Sequence, residues 1–187
     1  MLNVSSMEYY KAVKRSASIG TVIAALVLAG CGDGIAVPPA QADAALIEQQ
    51  AQAFVEGMKP RRQGKPIIAV LAVNEGTEMT DFLLPHAVLQ RSGVVEVHAV
   101  APERGRVHLY PALDVEVTED LASFDQAHPA GADYVIVPAM ANDNNPAATG
   151  WLKQQSEKGA PIIGVCVGGL VVANAGLLDG RKFVTHW

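Results

Sequence analysis

A single thiol stands in PIIGVCVGG, residues 161–169, where an apolar run gives way to two glycines. A cysteine at the end of a buried strand, followed at once by a glycine-started helix, has the makings of a nucleophile elbow. Gly164 and Gly168 leave room for a tight backbone on either side of Cys166. The unpaired N–H groups and dipole of the following helix favour thiolate over thiol. A bland alternative stands beside this reading: free cysteine also serves as a small buried hydrophobe.

The elements that position Cys166 follow from hydrophobic patterning. PIIAVLAV (66–73), VVEVHAVAP (94–102), ADYVIVPAM (132–140) and PIIGVC (161–166) are continuous apolar runs, the pattern of parallel strands buried on both faces. VHLYPALDVEV (107–117) alternates instead and reads as a hairpin. Helical patterns fill DFLLPHAVLQRSG, NPAATGWLKQQSEKGA and GGLVVANAGLLDG. Thr77 is the expected cap of the first of these, Pro85 falls near its first turn, and Gly93 is its stop. Strands alternating with helices predict an α/β fold, an open parallel sheet covered on both faces. Ligands of such sheets sit at the carboxyl ends of the strands, which is where Cys166 falls.

The chain has 187 residues, half of them hydrophobic, enough for one domain with a substantial core. The formal net charge is -5. Without residues 1–30 it becomes -7, because Lys11, Lys14 and Arg15 face only Glu8 there. Such an acidic body repels phosphate backbones, so nucleic acid is excluded as a partner.

The front of the chain reads as an address. A basic patch precedes an apolar run from Ile19 to Gly30, shorter than a bilayer span and fitting a secretory signal peptide. Leu28-Ala29-Gly30-Cys31 resembles a bacterial lipobox. That resemblance implies cleavage before Cys31 and lipid attachment to it, with the domain facing the periplasm from the cell envelope. Gly32, in place of an aspartate, leans toward the outer membrane. An uncleaved anchor helix is the alternative, and in that case Cys31 and Cys166 are free to pair. Residues 31–65 then form a tether. It contains a helix with Ile47, Ala51, Phe54, Val55 and Met58 on one stripe, and KPRRQGKP ends it.

Three stretches carry a family resemblance: GTEMTDFLLPHAVLQRSG, PIIGVCVGG and AGLLDGRKFVTHW. With the strands between them, residues 66–187 resemble the ThiJ/PfpI superfamily, whose fold is class I glutamine amidotransferase-like and which includes the parkinsonism-associated deglycase. The match is nearest the branch that holds isonitrile hydratase and the sensor domains of AraC-type regulators. The resemblance implies a flavodoxin-like doubly wound sheet and a homodimer as the first candidate for self-association. It puts the nucleophile on Cys166, its partner carboxylate on Asp81 with Glu78 as the rival acid, and a histidine on His186, 20 positions after the cysteine. Asp81 also reads as a first-turn acid at its helix dipole, and His186 as a strand-end residue. Backbone support for an oxyanion falls on Val167, Gly168 and Ala139.

The chain departs from the family pattern in three ways. Pro138-Ala139-Met140 replaces paired glycines, and Val167 replaces a histidine directly after the cysteine. The sequence also stops at Trp187, where family domains continue, so the domain reads as truncated. The first two departures weigh against peptidase or amidase chemistry. Two functional classes remain: a cysteine-dependent hydratase, hydrolase or glyoxalase-like enzyme on a small molecule, and a module that binds a small ligand or senses oxidants through its thiol. No cofactor is expected. His98, His108 and His128 are scattered, and no HExxH or CxxC spacing suggests a metal.

Overall fold

The computed structural model describes residues 44–181 and 183–186. The expected signal segment, Cys31 and the start of the expected tether lie outside the described residues. The chain divides between Phe54 and Val55. Helix α1 (Ala44–Gly57) forms as the apolar stripe predicts, and every one of its residues is exposed. Among the described residues, no helix is long and apolar enough to cross a membrane.

The body is built on a five-stranded parallel sheet. Its strands are β1 (Ile67–Leu71), β3 (Glu96–Ala101), β6 (Glu119–Asp120), β7 (Tyr134–Val137) and β8 (Ile162–Gly164), in the order β6-β3-β1-β7-β8. Chain order reverses at β1: β3 lies on one side of it and β7 on the other. This is the flavodoxin-like α/β arrangement, and ligands of such sheets bind beyond the strand ends near that reversal. A smaller sheet joins β2 (Thr77–Glu78) to a hairpin of β4 (Gly105–Tyr110) and β5 (Leu113–Val117). The hairpin falls where alternation predicts it.

Period-two alternation along β1 divides the core. Ala69, Leu71 and Val73 face α3 (Leu121–Ala127), α4 (Pro146–Glu157) and α5 (Gly168–Asn174), packing with Phe124, Trp151, Leu152 and Val171. Ile68, Val70 and Ala72 face the other way, onto Phe82 of α2 (Met79–Ser92) and Val107 and Leu109 of the hairpin. Each fully buried large side chain contributes roughly 1.5–3 kcal/mol. The two faces therefore hold the sheet from both sides, as a run of uninterrupted apolar residues requires.

Several local expectations change. The cap of α2 is Glu78, whose carboxylate accepts from Asp81 N–H at 2.7 Å. Thr77 is buried instead and closes the preceding loop, accepting from Val73 N–H at 2.9 Å and donating to Val73 O at 3.1 Å. Because the helix starts at Met79, Pro85 lies inside it, beyond the first turn. Gly93 ends it in the left-handed conformation, as expected. Helix α3, capped by the Asp120 carboxylate on Ser123 N–H at 2.7 Å, is one the sequence reading passed over. KPRRQGKP is more than a spacer. Arg61 donates to Ala132 O at 2.6 Å, and Arg62 pairs with the buried Asp133 carboxylate at 2.9 Å. Asp133 also accepts from Ile67 N–H at 2.8 Å, so the arginines hold the amino ends of β1 and β7.

Candidate functional site

The turn that carries the thiol is strained and tightly specified. Beyond β8, Val165 N–H donates to Val137 O at 2.9 Å, which extends the pairing to the edge of the turn. Cys166 then adopts φ 56, a left-handed conformation that no other non-glycine among the described residues shares. That backbone costs on the order of 1 kcal/mol for a residue with a Cβ and persists only where its surroundings enforce it. Gly168 N–H closes the turn on Val165 O at 2.8 Å. Two donors from the C-terminal segment converge on Cys166 O: Thr185 Oγ1 at 2.9 Å and His186 N–H at 3.5 Å. A Cβ on Gly168 would lie 2.0 Å from Val137 O, and one on Gly164 2.9 Å from Gly169 N. Both glycines let α5 approach the strand ends, as the motif implies. Cys166 is free and exposed as a residue.

Asp81 and Glu78 reach the thiol from the start of α2. Asp81 lies within electrostatic reach of the Cys166 side chain, and its Oδ2 accepts from Ala139 N–H at 3.2 Å. Partial burial first, then the neighbouring Glu78, pushes the Asp81 carboxyl above the ordinary carboxylate range, against the opposing pull of Ala139 N–H. The thiol is pushed up as well, by partial burial and by the charges of Asp81 and Glu78, while Val167 N–H opposes the shift. The direction is opposite to the expected one: burial first, then the charges of Asp81 and Glu78, oppose ionisation of the thiol.

The predicted backbone donors divide. Val167 N–H faces the thiol. The N–H groups of Gly168 and Ala139 are already committed, to Val165 O and to Asp81. Glu78 is within electrostatic reach of both Asp81 and Cys166, but its carboxylate is engaged as the cap of α2, accepting also from Thr80 Oγ1 at 2.7 Å. His186 is brought to the elbow through its backbone.

Tyr110 is the neighbour that sequence reasoning missed. It pairs in register with Glu78 across β4 and β2. Burial and the charges of Glu78, Asp81 and Cys166 push its phenol up to about 12, so it remains a neutral donor within electrostatic reach of the thiol. Only the pairing of a two-residue strand brings it there, and no spacing announces that. Elsewhere, histidines that look scattered in sequence converge: Glu96, His98 and His128 offer ligand atoms all within 4.8 Å of one another.

Comparison with known proteins agrees with this architecture. A 42-residue stretch is 43% identical to the HTH-type transcriptional regulator CdhR of Pseudomonas aeruginosa, covering 22% of this chain and 12% of the regulator. This likeness fits the regulator sensor-domain branch. A cysteine-to-alanine variant of a DJ-1 superfamily protein from Salmonella typhimurium superposes with a TM-score of 0.56 at 25% identity, covering 64% of this chain and 66% of that one. Oxidized Toxoplasma gondii DJ-1 gives 0.55 at 20% identity, with the same two coverages, and this second likeness speaks for the fold alone. The chain spans less than two thirds of the length of these relatives. The profile of the DJ-1/PfpI family matches residues 67–187, and the chain belongs to that family.

Proposed function

We propose that the domain acts on a small electrophilic molecule through Cys166, with Asp81 as the group that takes and returns the proton. The observation that carries this reading is a free, exposed thiol on a strained turn, within electrostatic reach of the Asp81 carboxylate. As sulfur bonds to an electrophilic carbon, its proton passes to Asp81. The carbon's π electrons move to the attached heteroatom, which then receives that proton. Tyr110 supplies a neutral donor nearby. With the N–H groups of Gly168 and Ala139 committed, the arrangement suits addition or hydration better than amide cleavage, which relies on a free oxyanion hole.

A second reading is a ligand-binding or thiol redox-sensing module without turnover. The likeness to the CdhR regulator favours it. In either reading, Cys31 would carry a lipid that keeps the domain at the cell envelope, facing the periplasm; the basic patch and the Leu28–Cys31 box support this.

The test is the pH profile of alkylation at Cys166, followed by intact mass, for the native chain and Asp81→Asn. Removing the carboxylate should move the profile to lower pH and make labelling several-fold faster at neutral pH, because Asp81 raises the thiol. A profile indifferent to Asp81, or a thiol that reacts only after denaturation, rejects the site. Repeated consumption of a small electrophile by each chain selects the enzyme. One stable adduct per chain without turnover selects the sensor.

A further inference from the structure

We propose that Glu96, His98 and His128 form a binding site for a transition-metal dication of the zinc type, separate from the cysteine site. Glu96 and His98 are two apart on β3 and so project from one face of the sheet. His128, the C-cap of α3, meets them there: its ring lies 4.7 Å from that of His98, edge to face, and Phe124 supports both rings. The donor atoms lie within 4.8 Å of one another. The edge of a zinc tetrahedron is about 3.4 Å, so binding requires these atoms to draw together, and Glu96 is exposed and His128 only half-buried.

The orientation of His98 is the strongest argument. Its Nδ1 is held by Glu119 Oε2 at 2.8 Å. That leaves Nε2 facing Glu96 Oε1 at 3.1 Å, a separation that two ligands of one ion adopt. A carboxylate fixing the far nitrogen of an imidazole is how proteins orient metal-binding histidines. Two carboxylates and two imidazoles also make a locally acidic set that a dication would neutralise. Imidazole with carboxylate suits zinc, nickel or copper rather than magnesium or calcium. Arg62 is the opposing charge, acting on His128, but its guanidinium is occupied by Asp133 and Gly131 O. Such an ion would pin the end of α3 to the β3–β6 edge.

The experiment is a zinc chloride titration of the full chain, free of any polyhistidine tag and carrying Cys31→Ser and Cys166→Ser so that no thiol competes. Calorimetry should give one ion per chain. The melting temperature should rise by roughly 8 °C at zinc a hundredfold above Kd. Magnesium chloride should leave it unchanged. His128→Gln and Glu96→Gln, on exposed or half-exposed side chains, should weaken binding at least tenfold, and Glu119→Gln by about 10–100-fold. His108→Gln, on the distant hairpin, should change nothing. Absence of stoichiometric binding overturns the site. So does zinc affinity that survives Glu96→Gln and His128→Gln, or falls equally with His108→Gln.

Discussion

The thiol turn and the histidine cluster are built in opposite ways. Cys166 is forced into an unfavourable backbone by glycines packed at near-contact distance, and its side chain faces two acids that oppose its ionisation. His98 sits in ordinary strand backbone and gains a carboxylate at each nitrogen and an aromatic edge beneath it. One region gives up stability to hold a reactive group in place; the other gathers polar groups that satisfy one another. Strain at a site points to constraint by function, whereas mutual satisfaction serves structure as readily as binding.

Substitutions can break or sharpen this contrast. The largest effect should come from Gly168→Ala. Its methyl would sit 2.0 Å from Val137 O, so α5 must move off the sheet; denaturant unfolding should show a loss of about 3 kcal/mol or more. A loss near zero would mean the turn is not tightly built. Next, His98→Ala should destabilise by about 1–2 kcal/mol, since it strips a partly buried ring of both hydrogen bonds. Cys166→Gly should do the reverse and stabilise by about 1 kcal/mol, because glycine adopts φ 56 without penalty. If both substitutions destabilise alike, the contrast between the regions fails.

The last effect, absent at neutral pH, concerns Tyr110. The folded chain holds its phenol proton to about 12, while the unfolded chain releases it near 10. The unfolded state thus binds fewer protons between these values, and stability falls as pH rises from about 10 to about 12. Tyr110→Phe should flatten that decline in alkaline unfolding curves. An unchanged slope would remove Tyr110 from the electrostatics of the site.

The two regions also differ in how far the sequence revealed them. The thiol turn was legible because its chemistry is local: an apolar run, a cysteine and close-set glycines lie within nine residues. The parallel strands were legible for the same reason, as uninterrupted apolar runs. The sign of the thiol's shift was not, because it depends on burial and on Asp81 and Glu78, which arrive from another element. Tyr110 depends on a two-residue strand pairing, and the histidine cluster on residues 30 positions apart folded onto one sheet edge. Helix α3 was missed because its seven residues are too few for a clear period. Thr77 was misread as a cap because a buried hydroxyl and a capping hydroxyl look alike in sequence.

The two arginines just ahead of β1 set the mechanical behaviour of the domain. Tension applied to the chain upstream of Met58 first loads Met58 O, which accepts from Tyr134 Oη, and then Arg61 and Arg62, and through them Ala132 and Asp133 at the amino ends of the strands. Cys166 lies past the carboxyl end of β8, at the far end of the sheet. These anchors all lie at the amino ends of the strands, so a pull on the chain is taken up there, at the end of the sheet opposite the elbow.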